Sequence, residues 1–347
     1  MSLLEVKDLV MRFPLSRSKA VQAVSGVSFS LERGQTLSLV GESGSGKTTI
    51  GRCLLGLVEP TSGTITFGGE QIGHRRSIRS PSLRGKLQFV FQEPAESLDP
   101  RIRVGYSLAE PLRVLNLNKH DRDRRLAEIA KTIGVSSDVL DKYPGELSAG
   151  LQQRIGVGRA IVSDPELIVL DEPTSALDPT ARSELIDLLI RLQKKYDTAY
   201  LFISHDLSTV RYVSHRVAVL YLGMIIEEGD VGEIFSQPRH PYSIGLLSSA
   251  LLPDPTLTGE SQIVLKGEIP SPIDLPKGCF LASRCPFADE RTRCEMPPVA
   301  MASPGHLVRC FKHDEIAAIG RKQDNYTKFQ EIAERILTEG AQPQASH

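Results

Sequence analysis

Two stretches of this chain hold residue types that could do phosphate chemistry. The first, Gly41-Glu42-Ser43-Gly44-Ser45-Gly46-Lys47-Thr48-Thr49, fits the pattern G-x-x-x-x-G-K-[ST]. It follows an apolar strand-like run, Thr36 to Val40, and leads into a helical stretch, Thr48 to Leu57, which is the context that pattern requires. Its glycines let successive backbone N–H groups turn inward around the β- and γ-phosphates of a nucleotide, and the helix N-terminus adds partial positive charge. Lys47 would neutralise phosphate oxygens, and the Thr48 hydroxyl would ligate Mg²⁺. The second stretch is the continuous apolar run Leu167 to Leu170, expected of a strand buried on both faces, which ends in Asp171-Glu172. Carboxylates at the C-terminal end of a central parallel strand lie where ligands bind in open α/β sheets. Asp171 is then placed to hold the Mg²⁺ shell through water, and Glu172 to polarise a water that attacks the γ-phosphate. The bland alternative is a pair of N-cap carboxylates for the helix starting near Pro179.

Other candidates fall at the ends of neighbouring elements. Gln92 closes the run Leu87 to Phe91, where its amide could reach the metal or the attacking water; alone it would be an ordinary surface residue. His205 ends the buried run Ala199 to Ile203, at the same sheet edge as Lys47 and Glu172, which favours a γ-phosphate contact over a structural role. Ser148 and Gly150 stand at the start of a helix, Leu151 to Val162, where small residues can offer N–H groups to a phosphate that need not be this chain's own. Asp178, after Ser175-Ala176-Leu177, can cap the next helix or cross a dimer seam.

These residues need a scaffold, and the patterns supply an α/β one. Leu3 to Val10 and Ala20 to Glu32 read as an antiparallel strand pair with a polar break at Pro14 to Lys19. Phe13, at the end of the first, is either core filler or a stacking platform for adenine. Between Gly51 and Gln92 the sequence turns β-like, with strands at Thr64 to Phe67 and Leu87 to Phe91 around a Ser/Arg/Gly-rich loop, His74 to Arg84. Val104 to Tyr143 is mainly helical, with Leu126, Ile129, Ala130 and Ile133 on one face and the charge run Arg122 to Arg125 on a solvated one.

The 347 residues allow about two domains, and 40% hydrophobic and 24% charged residues with a net charge of -1 describe an ordinary globular chain. No basic excess points to nucleic acid. The segment Met1 to Phe13 lacks the layout of a secretion signal, and the longest apolar run, Val217 to Ile226, is too short to span a bilayer as a helix. The expected location is the cytosol, with any membrane role carried by a partner. Four of the five cysteines crowd between Cys279 and Cys310, which suits metal or cluster binding better than disulfides in a reducing compartment.

In this order the motifs resemble the ATP-binding subunits of ABC transporters: Walker A at Gly41 to Thr49, Q-loop Gln92, signature Leu147 to Gln152, Walker B Leu167 to Glu172, D-loop Ser175 to Asp178 and switch His205, over residues 3 to 230. The resemblance implies a P-loop NTPase core with an antiparallel β subdomain and a helical subdomain, about 100 to 165. It further implies that two ATPase subunits pack head to tail, each ATP held between one subunit's phosphate loop and the other's signature, and that Phe13 stacks on adenine. One departure stands out. Where the family has Leu-Ser-Gly-Gly-Gln, Ala149 replaces the first glycine and Leu151 the glutamine, so this signature makes a less secure lid for the partner's phosphate.

The C-terminal part, from Gln237-Pro-Arg-His-Pro-Tyr242 through Gly267 to Pro272, Pro276 to Phe280 and Arg284-Cys285-Pro286, resembles the oligopeptide/dipeptide importer ATPases. In that group a cysteine-rich appendix holds a 4Fe-4S cluster, and the implied ligands are Cys279, Cys285, Cys294 and Cys310. The residues themselves leave zinc and unligated thiols open, and the gap before Cys294 is longer than the family's. Cys53 reads as a small core residue. The expected division is 1–235 for the ATPase domain, 236–311 for the cysteine-rich region and 312–347 for a tail, whose Phe329, Ile332, Ile336 and Leu337 form one helical face in Asn325 to Thr338 that could dock or stay solvated.

The resulting expectation is an ATPase subunit on the cytoplasmic face of the inner membrane, powering di- or oligopeptide uptake. Its partners would be a second, related ATPase chain, two integral membrane permeases and an extracytoplasmic solute-binding protein, with no nucleic acid. Nickel, an opine or an oligosaccharide are alternative cargoes, and a soluble ABC ATPase without permeases is the rival class.

Overall fold

A computed structural model describes residues 2–73, 83, 85–93, 97–115, 117–250 and 265–320. It divides into two compact units, Met1–Ile225 and Ile226–His347.

The first unit is built on a parallel sheet. Its strands are β3 (Thr36–Val40), β6 (Leu87–Val90), β7 (Leu167–Asp171), β8 (Ala199–Ile203) and β9 (Arg216–Tyr221), in the order β9-β3-β8-β7-β6. Every residue of β3, β7 and β8 is buried, because both faces of these strands are covered, and this is why they read as unbroken apolar runs. The register sets Leu39 beside both Ile203 and Ala218, and Asp171 beside Ile203. The loops after Val40, Asp171 and Ile203 therefore leave the sheet side by side.

An antiparallel sheet of β1 (Leu4–Pro14), β2 (Ala20–Leu31), β4 (Ser62–Phe67) and β5 (Glu70–Ile72), ordered β2-β1-β4-β5, shares one core with the parallel sheet. Ile50, Cys53 and Leu54 of α1 (Lys47–Leu54) lie in that core, so the helix that follows the phosphate loop is packed on both sheets. Cys53 is fully buried and its thiol is pushed up to about 11 by that burial, as expected of a core residue rather than a reactive one.

The helical region is α2 (Val104–Val114), α3 (Lys119–Thr132), α4 (Ser137–Leu140) and α5 (Ala149–Ile161). Gly158 of α5 has no room for a side chain: a Cβ there would lie 2.6 Å from Ile133 Cδ1 and 3.0 Å from Leu108 Cδ1. The face of Ile129, Ala130 and Ile133 is buried as its spacing required. After β7 come α6 (Pro179–Tyr196) and, after β8, α7 (Leu207–Val213). The apolar run Val217 to Ile226 is broken by a turn at Leu222-Gly223, with φ 46° and 76°. No described helix is long and apolar enough to cross a membrane.

The second unit contains β10 (Met224–Asp230) from residue 226 onward, α8 (Val231–Ser236), α9 (Pro241–Ala250), α10 (Glu290–Cys294), β11 (Ala300–Ser303), β12 (His306–Val308) and α11 (His313–Gly320). The division falls after Ile225 rather than at 235, since Glu227 and Glu228 pair with Val308 and Leu307. Glu227, fully buried, also accepts N–H bonds from Arg239 (2.5 Å) and His240 (3.1 Å) and lies 2.8 Å from His306 Nε2. One carboxylate thus ties three segments together, and burial holds His240 neutral, its imidazole pulled down to about 3. The Asn325 to Thr338 face and, apart from Leu83, the His74 to Arg84 loop lie outside the described residues.

Candidate functional site

The phosphate loop is shaped by what surrounds it. β3 runs into Gly41 (φ 150°), where a Cβ would lie 2.2 Å from the Leu220 carbonyl oxygen. At Gly46 (φ 101°) a Cβ would lie 2.2 Å from the Ala23 carbonyl oxygen. The loop is therefore pressed between the end of β9 and β2, and only glycine meets both the space and the left-handed backbone. Ser43 and Gly44 form its exposed lip, whereas Ser45 is buried and Thr49 half-buried. Lys47, itself buried, folds over the loop and donates to the carbonyls of Gly41 (2.8 Å) and Glu42 (3.0 Å) and to Ser45 Oγ (3.3 Å). Burial lowers its pKa, opposed by the nearby carboxylates of Glu172, Asp171 and Glu42. An ammonium so poorly solvated gains more from an anion than one in water does.

The end of β7 faces this loop. Thr48 Oγ1 donates to Asp171 Oδ1 at 2.9 Å. Asp171 is 4% exposed, and burial raises its pKa despite the Thr48 bond. A hydroxyl and a buried carboxylate in contact are the hard oxygen donors that suit Mg²⁺, so these residues fit the expected ion. Glu172 adopts φ 45°, a left-handed backbone that costs roughly 1–3 kcal/mol for a residue with a side chain. Its N–H donates to Ile203 O (2.9 Å), and its carbonyl accepts from the N–H (3.2 Å) and hydroxyl (3.0 Å) of Ser175. Those bonds hold the turn that aims the carboxylate. Glu172 Oε2 accepts from Gln92 Nε2 at 3.4 Å and lies 3.1 Å from His205 Nδ1. Residues following β6, β7 and β8 therefore meet at one carboxylate beside the phosphate loop. The N-cap alternative for Asp171 and Glu172 falls away, because Asp178 caps α6 by accepting from the Ala181 N–H at 3.0 Å.

A second group assembles around α5 and α6. Ser148 caps α5 by accepting from the Leu151 N–H (3.4 Å), and a Cβ at Gly150 would lie 3.1 Å from Ala181 Cβ. Ser148 and Ala149 are exposed, so the helix start faces outward. Gln152 is turned back to the carbonyls of Pro144 (2.9 Å) and Leu147 (3.0 Å), and Arg154 pairs with Glu184. Phe13 is 38% exposed opposite Val21, two residues from the Ala23 that flanks Gly46. Its ring is therefore not core filler.

The spacing of motifs gave no sign of Arg182 and Asp206. Arg182 donates to Asp206 Oδ2 (3.1 Å) and to the Leu177 carbonyl (3.3 Å). The Asp206 contact, 24 residues away, is a product of the fold rather than of local sequence.

The cysteine set needs correcting. Cys279, Cys285 and Cys310 line one cavity of about 20 Å³, together with His240, Phe287 and Lys312. Burial raises all three thiols, Cys310 to about 12. Cys294, at the end of α10, is exposed and stands outside that lining. Among the described residues no group of three or more His, Cys, Asp or Glu is disposed to hold a metal ion. The described residues therefore give no support to a four-thiolate 4Fe-4S cluster or Cys₄ zinc: three of the thiols share a lining whose room is about that of a single water, and Cys294 is not part of it.

Residues 24–175 match the family described as ABC transporter, and residues 226–294 match the oligopeptide/dipeptide transporter C-terminal region. The oligopeptide transport ATP-binding protein AppF of Bacillus subtilis (strain 168) is 41% identical over 321 residues, covering 89% of this chain and 97% of that protein. Among solved structures, cbiO1 from Clostridium perfringens, part of the ABC transporter complex cbiONQ, superposes with a TM-score of 0.61 at 27% identity over 71% of this chain and 95% of that one. The dimeric structure of MJ0796, a bacterial ABC transporter cassette, gives 0.59 at 25% identity over 66% and 98%.

Proposed function

This chain belongs to the ABC transporter ATP-binding proteins and carries their oligopeptide/dipeptide C-terminal region, and from that premise we propose that it hydrolyses ATP to drive peptide import across the cytoplasmic membrane. The observation that carries the enzymatic part is the meeting of Gln92, Glu172 and His205 beside Lys47 and Thr48.

In this reading the N–H groups of Gly44 to Thr49 and the Lys47 ammonium hold the β- and γ-phosphates, and Phe13 stacks on the adenine. Thr48 and Gln92 would hold Mg²⁺ directly and Asp171 through water; the ion, when bound, offsets charge on the phosphate oxygens. Glu172 accepts the proton of the attacking water, Gln92 orients that water, and His205 contacts the γ-phosphate. The exposed start of α5, with Ser148 and Gly150, meets the nucleotide of a second, related ATPase subunit, and Asp178 lies at the same seam. The cluster implied by resemblance has no part in this proposal, since no metal site is found among the described residues.

AppF is named for oligopeptide transport, and its likeness along 89% of this chain supports the peptide cargo. The chain works, in this proposal, on the cytoplasmic face with two permeases fed by an extracytoplasmic solute-binding protein. A cavity of about 530 Å³ lined by Ser97, Asp99, Arg101, Tyr106, Glu110 and Arg159 begins five residues after Gln92, and we assign the permease contact to it because a partner seated there is joined to Gln92 through a short stretch of chain.

The test is Glu172→Gln. Steady-state phosphate release should fall by roughly 10²- to 10⁴-fold, while the affinity for Mg-ATP is kept. Hydrolysis at the wild-type rate would remove Glu172 as the base.

A further inference from the structure

We propose that Arg182 is a positioning residue for hydrolysis: by joining the Ser175–Asp178 turn to Asp206, it holds His205 against Glu172. The inference rests on the reading that Glu172 and His205 act at the γ-phosphate.

His205 needs such help. Its side chain is 62% exposed, so packing does not fix the imidazole, and its place follows from the backbone on either side. Ser204, buried, accepts from the Asp206 N–H at 3.0 Å. Asp206 caps α7, with Oδ1 accepting from the Ser208 N–H (3.1 Å) and hydroxyl (2.5 Å) and Oδ2 from the Thr209 hydroxyl (2.7 Å). Among the described residues, Arg182 adds the contact to Asp206 that comes from another element, at 3.1 Å, while its second donor reaches Leu177 O at 3.3 Å. The circuit closes through Ser175, which donates to the Glu172 carbonyl, and through the 3.1 Å contact between Glu172 and His205. Although burial pushes the Asp206 carboxyl upward, its hydrogen bonds and the Arg182 charge leave it below the usual carboxylate range, so an ionised partner stands ready for the guanidinium.

The same contacts separate positioning from mere stability. Without Arg182, Asp206 keeps every bond that caps α7, so the fold persists, and a half-exposed ion pair contributes little to stability in any case. What is lost is the tie between the segment leading into α7, where His205 stands, and the turn behind Glu172. A displacement of about 1 Å at such a group costs on the order of 100-fold in rate.

Full-length protein in its ATP-hydrolysing assembly should be compared with Arg182→Ala, Arg182→Lys, Asp206→Asn and the Arg182→Ala/Asp206→Asn pair. Arg182→Ala should lower kcat by about 10- to 100-fold with Mg-ATP affinity and melting temperature unchanged. Lysine should restore part of the loss, and the pair should be no slower than Arg182→Ala alone, because both changes cut one connection. An unchanged kcat, a loss that tracks the melting temperature or the nucleotide Kd, or strictly additive losses would each overturn the assignment. If Arg182→Ala does not fold, Arg182→Lys and Asp206→Asn decide by the same criteria. Glu172→Gln is run alongside: should it hydrolyse ATP normally, the underlying reading of the site fails, whereas its inactivity beside a fully active Arg182→Ala defeats this inference alone.

Discussion

Gly46→Ala and Gly44→Ala together isolate what the phosphate loop demands of its glycines. Both positions have positive φ, 101° at Gly46 and 79° at Gly44, so an alanine at either one costs roughly 1–2 kcal/mol in backbone strain. They differ in space. Nothing lies within 4 Å of a Cβ at Gly44, but at Gly46 that atom would sit 2.2 Å from the Ala23 carbonyl oxygen, a backbone group of β2 at the point where its register against β1 shifts. About an ångström of movement is needed there, and neither β2 nor the buried start of α1 can yield it without shifting the loop. A loop that relaxes this strain without nucleotide must take it up again on binding, and since each 1.4 kcal/mol is a factor of ten in affinity, Gly44→Ala should weaken Mg-ATP binding by up to about tenfold. Gly46→Ala, with overlap added to strain, should weaken it by 100-fold or more. Isothermal titration with Mg-ATP, with far-UV circular dichroism to show that both variants fold, makes the comparison. If Gly46→Ala binds as tightly as wild type, or Gly44→Ala proves the weaker binder, the close approach of β2 to the loop does not shape the site.

Other consequences are as direct. Burial raises the Asp171 pKa, so its carboxyl contributes stability at low pH that is lost as pH rises through the raised value; Asp171→Asn should melt higher than wild type at neutral pH without nucleotide, the gain shrinking on acidification and Mg²⁺-dependent ATP affinity falling. Equal melting curves at pH 5 and pH 8 would contradict this sign. Glu227→Ala should cost about 3–5 kcal/mol by leaving His306 and two backbone N–H groups without their buried acceptor, read by denaturant unfolding of the second unit with nucleotide affinity unchanged. In a thiol-reagent time course near pH 8, exposed Cys294 should react first and Cys53 and Cys310, pushed up to about 11 and about 12 by burial, last; equal rates would place Cys294 with the buried thiols.

Much of this protein is local and could be read along the chain. The strand-loop-helix at Thr36 to Leu54, the buried runs of β7 and β8, the Asp178 cap and the antiparallel pair β1 and β2 each follow from periodicity or turn chemistry within a dozen residues. Because consecutive parallel strands end level, the sequence also determined that Lys47, Glu172 and His205 share one edge. It could not determine how they touch. The left-handed Glu172, the contact of one carboxylate oxygen with both Gln92 and His205, and the Arg182 tie to Asp206 join residues 24 to 80 positions apart, and no local preference encodes such pairings. The cysteines show the limit from the other side: four thiols close in sequence suggest one site, but only three of them line one cavity, and Cys294, at the end of α10, is exposed and outside that lining. Spacing along a chain fixes which side chains can be brought together; only packing decides which ones are.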